Sequence, residues 1–315
     1  MGGVYELVAE QRDARLYPPP GRLINVGDWR LHLDCEGPSG GPTVVMLAGG
    51  GTPAVASYGL RDRIARFARV CSYDREGLGW SDDAELERPL SFPAQIADLE
   101  RVLGRGHVAP PYVFVPESFG GLIALGFIER HPNDVAGAVF ADSVDAPLWF
   151  GAMTAIMKRE PVRIDPIPIA RDLGIVRLAL PFIAPAWTKA LPAKERGELF
   201  ALYAKQTGGY SEAVGAFEVT PASQRPGLAA GALGDKPIIV IRHGTNPPEL
   251  EPEFRDNWLA AQIRLSRLSR NSRIVVATGS GHEIAQENPD LVARCVAAVI
   301  SGSLNCDASG ARGTH

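Results

Sequence analysis

No apolar run in this 315-residue sequence approaches the roughly 20 consecutive residues that a membrane-spanning helix needs. Basic blocks are missing as well. The chain has 32 Lys and Arg against 36 Asp and Glu, a net charge of −4, and so lacks the footprint of a nucleic-acid-binding protein. The first residues contain neither the hydrophobic region of a signal peptide nor a myristoylation motif. We therefore expect a cytoplasmic protein that neither spans a membrane nor binds nucleic acid.

Cysteine is scarce. Cys35, Cys71, Cys295 and Cys306 form no CxxC pair, and this spacing fits neither a zinc site nor a disulfide framework. We expect four reduced thiols, as is usual in the cytoplasm, and no bound metal.

Glycine and proline, by contrast, are abundant. The 34 glycines and 26 prolines make up about a fifth of the chain, more than is typical. Because 45% of the residues are hydrophobic and form short runs between these breaks, the composition predicts a folded chain with many sharp loops. At this length we expect one large domain, or a core domain that carries an insertion.

The hydrophobic pattern predicts a sheet built from alternating strands and helices. Residues 22–26 and 29–34 alternate apolar and polar side chains around Gly27-Asp28, which predicts a β-hairpin. Short, continuous apolar runs follow and are typical of strands buried on both faces. They lie at 43–48, 70–74, 112–115, 135–141, 237–242 and 273–278. Helix-like segments separate them, so the predicted fold is α/β with a parallel sheet.

This alternation stops near Asp145. Residues 146–235 contain nine prolines and no clear strand, and so predict broken helices inserted into the sheet domain. The predicted domains are a discontinuous core at 22–145 and 236–302, a helical insertion at 146–235, a lead-in at 1–21 and a flexible tail at 303–315.

The segment YVFVPESFGGL, at 112–122, predicts a nucleophilic serine. A buried strand runs directly into Ser118, and two glycines and an apolar helix follow it. In this strand–turn–helix context a tight turn exposes the serine hydroxyl. The start of the helix also directs backbone N–H groups toward developing negative charge. The alternative is that Ser118 merely caps the helix.

Two further loops contain candidate site residues. The glycines at 49–51 follow a predicted strand, and the amides of Gly50 and Phe119 would together form an oxyanion hole. His282 lies in the turn GSGHEI after the last predicted strand and is the candidate general base. Among the six histidines, His243 at a strand end is its main competitor.

Taken together, these motifs resemble the α/β-hydrolase superfamily, in its cap-bearing serine esterase and peptidase-like branch. The resemblance rests on SFGG at 118–121, on SYDREGLGWS at 72–81, which is similar to the family's DxxGxGxS signature, and on GSGH at 279–282. It covers roughly residues 22–301. It implies a mostly parallel eight-stranded sheet flanked by helices, with a helical cap after strand 6, and acyl transfer to water without a cofactor or a metal.

The resemblance leaves the acid of the catalytic triad open. In the family this acid most often follows strand 7, but here that turn has no carboxylate before Glu249 and Glu251. Asp142, at the end of strand 6, is placed as in family members that carry the acid there. We therefore expect Asp142 to orient the histidine, with Asp145, Glu249 and Glu251 as alternatives.

Two residues depart from the family's G-x-S-x-G elbow. Pro116 replaces the first glycine, and Glu117 precedes the serine. Proline has no N–H, so this strand end must tolerate a missing donor. Glu117 is interpreted as a buried structural partner, with a pKa-tuning role as the alternative.

These residues predict a serine hydrolase that cleaves a small apolar carboxylic ester, with a lactone or an amide as alternative substrates. Gly51 from the glycine loop and Trp149, Phe150 and Met153 from the insertion are candidates for binding the substrate, although most such side chains are core packing. The rival hypotheses are a lyase that uses the Ser–His pair as a base, and a non-catalytic ligand-binding protein of the same fold. The sequence does not indicate the oligomeric state.

Overall fold

The computed structural model describes residues 2–83, 90–159, 167–206, 216–245 and 252–306. Its centre is an eight-stranded sheet in the order β1-β2-β4-β3-β5-β6-β7-β8. The pairs β1–β2 and β2–β4 are antiparallel, and the remaining pairs are parallel. The mostly parallel eight-stranded sheet is thereby confirmed. The strands are β1 (Arg22–Asn25), β2 (Arg30–Glu36), β3 (Thr43–Leu47), β4 (Val70–Tyr73), β5 (Tyr112–Pro116), β6 (Val135–Ala141), β7 (Ile238–His243) and β8 (Ser272–Ala277).

Helices flank this sheet, and in two of them a side chain caps the first turn. Ser91 Oγ accepts the N–H of Ala94, and Asn288 Oδ1 accepts the N–H of Leu291. The helices are α1 (Gly2–Leu16), α2 (Tyr58–Ile64), α3 (Phe92–Arg105), α4 (Gly120–Arg130), α5 (Ala146–Arg159), α6 (Ile167–Asp172), α7 (Ile175–Ile183), α8 (Ala193–Lys205), α9 (Pro252–Ser266), α10 (Ile284–Glu287) and α11 (Pro289–Ser301). Of the helices in the described ranges, none combines the length and the apolar character that crossing a membrane requires.

The central strand β3 shows why the strand sequences are continuously apolar. All five of its residues are buried. Successive side chains point to opposite faces of a strand, so Val45 and Leu47 join the core beneath α3 and α4. Val44 and Met46 join the second core, beneath α2 and α11. The sheet is therefore covered on both faces, and its carboxyl edge is left for the loops that follow the strands.

Between β6 and β7 the chain forms α5 to α8, and the described residues of this segment include no strand. Leu199 and Leu202 of α8 pack against Ala54 and Val55 in the 3₁₀ turn after β3. The helices of the insertion thus reach the loop that follows the glycines at 49–51. Helix α1 packs on α6 and α8, and its Glu6 forms an ion pair with Arg177 of α7.

The prediction of four reduced thiols is wrong. Cys35 and Cys71 form a disulfide between β2 and β4, and Cys295 and Cys306 form a second one at the end of α11. Their spacing in the sequence could not show the first pair, because only the antiparallel β2–β4 register places Cys35 opposite Cys71, with Cα atoms 4.1 Å apart. Disulfides persist mainly in oxidising compartments, so a cytoplasmic location loses the support that it had from reduced thiols.

The second disulfide also corrects the start of the expected flexible tail. Cys306 is buried, and its carbonyl oxygen accepts a hydrogen bond from Arg294. Residues 303–306 are therefore fastened to α11. Residues 307–315 lie outside the described part of the chain.

Candidate active site

Ser118 lies in a sharp turn between β5 and α4. Its φ angle is +49°, in the left-handed region that costs a non-glycine residue free energy. The turn depends on a close approach of α4 to its neighbours. A Cβ atom on Gly120 would lie 2.3 Å from the carbonyl oxygen of Leu47, and one on Gly121 would lie 2.6 Å from that of Val144. Only glycine fits at either position, and the strained turn directs the serine out over the sheet edge.

The unexpected Pro116 removes one donor from the side of β5 that faces β6. The pairing of β5 with β6 extends as far as Phe114 and resumes at Glu117. On the other side of β5, the N–H of Glu117 donates to Leu47 at 2.9 Å. Ser143 Oγ donates to the carbonyl oxygen of Pro116 at 2.8 Å. Phe114 pairs with Ala138 and Glu117 with Ala141, at the same offset, so the missing N–H interrupts the β5–β6 ladder locally and leaves its register unchanged.

Three predicted residues meet at the carboxyl edge of the sheet. The hydroxyl of Ser118 lies 2.9 Å from Nε2 of His282, and Nδ1 of His282 lies 2.7 Å from Oδ2 of Asp142. Asp142 follows β6, has a φ angle of +44° and is fully buried. His282 comes from the loop after β8, and 39% of its side chain is exposed. The structure thus brings together the nucleophile, base and acid candidates in one hydrogen-bonded chain.

The electrostatics of these three hydrogen-bonded side chains suit proton transfer. Burial favours the neutral form of Asp142, but the hydrogen bonds from His243 and His282 outweigh it and hold the pKa of the carboxyl below its usual range. Burial likewise favours neutral His282, yet its hydrogen bond to Asp142 and the charge of that residue raise the pKa of the imidazole above its ordinary value. A buried carboxylate therefore stands ready to stabilise an imidazolium.

Two further side chains contact Asp142, and the sequence did not single them out for this position. Nδ1 of His243 lies 2.8 Å from Oδ2 of Asp142, and the indole N–H of Trp258 donates to Oδ1 at 3.0 Å. His243 is the predicted competitor of His282, but it is His282 whose Nε2 reaches the serine. The position of His243 could have indicated its contact with Asp142, because His243 ends β7, next to the turn where the resembled family most often carries its acid.

Of the three alternative candidates for the catalytic acid, Asp145 lies in the described part of the chain. Asp145 accepts the N–H of Leu148 at 3.0 Å and so caps α5, and it also pairs with Arg264 of α9. Its carboxylate is thus committed to the start of the insertion. Glu249 and Glu251 lie outside the described residues.

The glycine loop after β3 packs against the elbow. A Cβ atom on Gly50 would lie 3.5 Å from that of Phe119. Within the described ranges, the backbone N–H groups of Gly50 and Phe119 have no hydrogen-bond partner. The buried Arg75 fixes the loop by donating to the carbonyl oxygens of Ala48 at 2.8 Å and Gly49 at 2.7 Å. The two predicted amides are therefore available beside the serine.

The substrate-binding candidates divide into two groups. Trp149 is half-buried and packs edge-on against Phe119, with ring centroids 5.1 Å apart, so it lies beside the elbow. The carbonyl oxygen of Gly51 accepts a hydrogen bond from Gln206, which ties the glycine loop to the insertion. Phe150 and Met153 are buried. Phe150 also borders an open cavity of about 480 Å³, whose other lining residues are Ala146, Pro147, Gly151, Thr154 and Arg225.

Glu117 connects the elbow to the helix that follows His282. Its Oε2 accepts Gln286 Nε2 at 3.0 Å, and its Oε1 accepts the N–H of Ala285 at 3.4 Å. Burial raises the pKa of Glu117 to about 7. The residue is thus the structural partner expected from the sequence, and it also carries a perturbed pKa beside the nucleophile. In the described part of the chain, no group of three or more His, Cys, Asp and Glu side chains is arranged to hold a metal ion.

Comparison with known proteins finds a family whose sequence model matches most of the chain. The model of the alpha/beta hydrolase family matches residues 44–295, about four-fifths of the chain. Over 294 residues the chain is 26% identical to a Hormonema carpetanum protein named "Probable transporter efuK". That match covers 86% of this chain but only 41% of the relative. The chain thus spans less than half the length of this relative.

Solved structures agree with the fold. The enol-lactonase from Burkholderia xenovorans LB400 is 17% identical, with a TM-score of 0.61 over 90% of this chain and 100% of that one. A laboratory-evolved variant of potato epoxide hydrolase is also 17% identical, with a TM-score of 0.67 over 89% of this chain and 98% of that one. At this identity the likeness concerns the fold alone.

Proposed function

Because this chain belongs to the alpha/beta hydrolase family, we propose that it is a serine hydrolase that cleaves a carboxylic ester through an acyl-enzyme on Ser118. The observation that supports this most is the hydrogen-bonded path from Asp142 through His282 to the serine hydroxyl, with distances of 2.7 and 2.9 Å. A path that ends on a hydroxyl can activate it as a nucleophile, because the imidazole accepts its proton as the bond forms.

In the proposed acylation step, Ser118 Oγ attacks the ester carbonyl and its proton passes to Nε2 of His282. Asp142 stabilises the resulting imidazolium. The amides of Gly50 and Phe119 donate to the oxyanion of the tetrahedral intermediate. Collapse of that intermediate breaks the bond to the alcohol oxygen, which takes the proton from His282 and leaves as the alcohol.

In the proposed deacylation step, water replaces the alcohol. His282 accepts a proton from the water as its oxygen attacks the acyl-enzyme, and the same amides stabilise the second oxyanion. The intermediate then expels Ser118 Oγ, which recovers its proton from the imidazolium. The acid is released and the serine is restored. Water is the only second reactant, so the reaction requires no cofactor.

We assign residues 146–235 as a cap that shapes the substrate site. The support is the packing of α8 on the turn after the glycine loop and of Trp149 on Phe119 beside the elbow. The indole of Trp149 beside the elbow favours an apolar acyl or alcohol group. A lactone is the closest alternative substrate class, since it presents the same carbonyl and an enol-lactonase shares the fold.

The test is covalent labelling with a fluorophosphonate, followed by assays on a panel of activated esters. We expect Ser118 to be labelled and Ser118→Ala to lower kcat by about 10⁶-fold. Ser303→Ala, on the exposed turn after α11, is the matched control and should keep full activity.

Three results would contradict the proposal. A folded protein that is not labelled would favour the ligand-binding hypothesis. Ester turnover that survives Ser118→Ala would move the nucleophile elsewhere. A substrate that is consumed by elimination, with no acid and alcohol among the products, would favour the lyase.

A further inference from the structure

Asp142 contacts one imidazole more than a proton relay requires. Its Oδ2 lies 2.7 Å from Nδ1 of His282 and 2.8 Å from Nδ1 of His243. Its Oδ1 accepts the indole N–H of Trp258 at 3.0 Å and the backbone N–H of His243 at 3.1 Å. A carboxylate offers about four lone-pair sites. These four donors therefore occupy the whole acceptor capacity of Asp142.

The carboxylate fixes the tautomer of both rings. The pKa of Asp142 lies below its usual range, and an ionised carboxylate only accepts hydrogen bonds. Nδ1 must therefore carry a proton in both His282 and His243. In His282 this leaves Nε2 to accept the hydroxyl of Ser118. The ring of His243 shares Oδ2 with His282, but it is Nε2 of His282 that lies within hydrogen-bond distance of Ser118.

We propose that His243 is a positioning residue of the active site, which holds Oδ2 of Asp142 in line with His282 and shares the charge of that oxygen. The inference rests on the proposed serine hydrolase function, because it concerns the acid of that triad. His243 binds both carboxylate oxygens, one through its ring and one through its backbone N–H. Rotation of the carboxylate would break both bonds.

Removal of the imidazole has two consequences. The carboxylate loses one of the groups that orient it, so the imidazolium formed on His282 is stabilised less well and kcat falls. The negative charge on Oδ2 then acts on His282 alone, which raises the pKa of that imidazole. The acid limb of the pH profile of kcat/KM moves to higher pH as a result. A residue that only packed against Asp142 would leave this limb where it is.

The other charged groups near the two rings stay constant in this comparison. Besides Asp142, Glu117 from the elbow and Glu283 from its own loop act on the pKa of His282. The side chain of Arg242 donates to the carbonyl oxygen of His243 at 3.3 Å. None of these groups is changed by replacing the His243 ring.

The experiment compares His243→Ala with His243→Asn, whose Nδ2 keeps an N–H donor close to the place of Nδ1. The control is His131→Ala, which removes a surface histidine that bonds to Glu100 at 2.9 Å. With a 4-nitrophenyl ester, we expect His243→Ala to lower kcat about tenfold at an unchanged KM and to shift the acid limb to higher pH. His243→Asn should restore both kcat and the midpoint, and the control should alter neither.

Wild-type kcat and an unmoved acid limb in His243→Ala would overturn the inference, and so would an Asn variant as slow as the Ala variant. A wild-type protein that neither turns over esters nor reacts with the fluorophosphonate would instead refute the proposed function. Proton NMR tests the geometry even then, and also where the Ala variant fails to fold. We expect two low-field imidazole N–H signals that depend on Asp142 and one in His243→Asn; two signals in that variant would overturn the inference.

Discussion

The His32–Asp74 pair and the His282–Asp142 pair share one geometry and differ at the second ring nitrogen. Nδ1 lies 2.8 Å from the carboxylate in the first pair and 2.7 Å in the second. Nε2 of His32 then lies 2.6 Å from the carbonyl oxygen of Pro20, whereas Nε2 of His282 lies 2.9 Å from a serine hydroxyl. Both side chains of the first pair are fully buried, and 39% of the His282 side chain is exposed.

The partner of Nε2 decides what each imidazole does. A carbonyl oxygen only accepts, so Nε2 of His32 must donate, and Asp74 accepts at Nδ1. Burial opposes the charge, but the bond and the charge of Asp74 outweigh it and raise the pKa of His32. With an acceptor at each ring nitrogen, His32 is held in its protonated form, and this buried imidazolium has a structural role. A hydroxyl can donate, so His282 can remain neutral and take its proton.

The largest expected effect separates the two carboxylates. We expect Asp142→Asn to lower kcat by about 10⁴-fold while the protein stays folded, because the amide favours the wrong tautomer of His282. The matched variant, Asp74→Asn, should lower the melting temperature and leave kcat of the folded enzyme near the wild-type value. Steady-state kinetics and thermal unfolding measure the two effects. An equal loss of kcat in both variants would contradict the comparison.

The next effect concerns stability. His32→Leu leaves the carboxylate of Asp74 buried without its counter-charge, and we expect it to lower the free energy of unfolding by about 3–5 kcal/mol. The pKa of His32 is raised in the folded state. The stabilisation that it provides is therefore fully present below the unfolded pKa of about 6.5 and is lost as the pH rises through the folded value. Urea unfolding at several pH values measures this, and a loss that does not shrink with rising pH would refute the buried imidazolium.

A smaller effect comes from Glu117, a buried acid whose hydrogen bonds come from neutral donors, Gln286 and Ala285. The pKa of Glu117 is about 7 in the folded state and 4.5 ordinarily. Below pH 4.5 both the folded and the unfolded protein carry this proton. As the pH rises from 4.5 to about 7, only the folded state keeps it, so the free energy of unfolding decreases. We expect Glu117→Gln to raise the free energy of unfolding by up to about 3 kcal/mol above pH 7 and to change it little at acid pH. Equal stability of the two proteins at every pH would show that burial does not perturb this carboxyl.

The smallest effect is a displacement along the pH axis. Because the pKa of His282 is raised above its ordinary value of 6.5, the acid limb of kcat/KM should have its midpoint above pH 6.5. The residual activity of Asp142→Asn should show the limb at lower pH, since the charge that raises this pKa is gone. A limb at the same pH in both proteins would mean that another group controls it.

The sequence predicted those parts of the fold and site that depend on neighbouring residues. Continuous apolar runs predicted the parallel strands, and the strand before Ser118 with the glycines after it predicted the turn. The interaction of Asp142 with Trp258 joins residues 116 positions apart and has no local signal. The Cys35–Cys71 disulfide was missed for the same reason, because a strand register determines it.

By itself the sequence determined the α/β architecture, the helical insertion after β6 and the candidates Ser118 and His282. Each of these features depends on a local sequence pattern: the spacing of apolar residues, and glycine or polar residues at particular positions. Such patterns constrain the backbone through contacts between neighbouring residues. Only the tertiary structure decided that Asp142 accepts hydrogen bonds from both His282 and His243. It also decided that Nε2 of His32 bonds to the carbonyl oxygen of Pro20. These roles depend on which atoms of distant segments meet at the sheet edge. In a parallel sheet the packing of the crossover helices determines which of these segments come into contact.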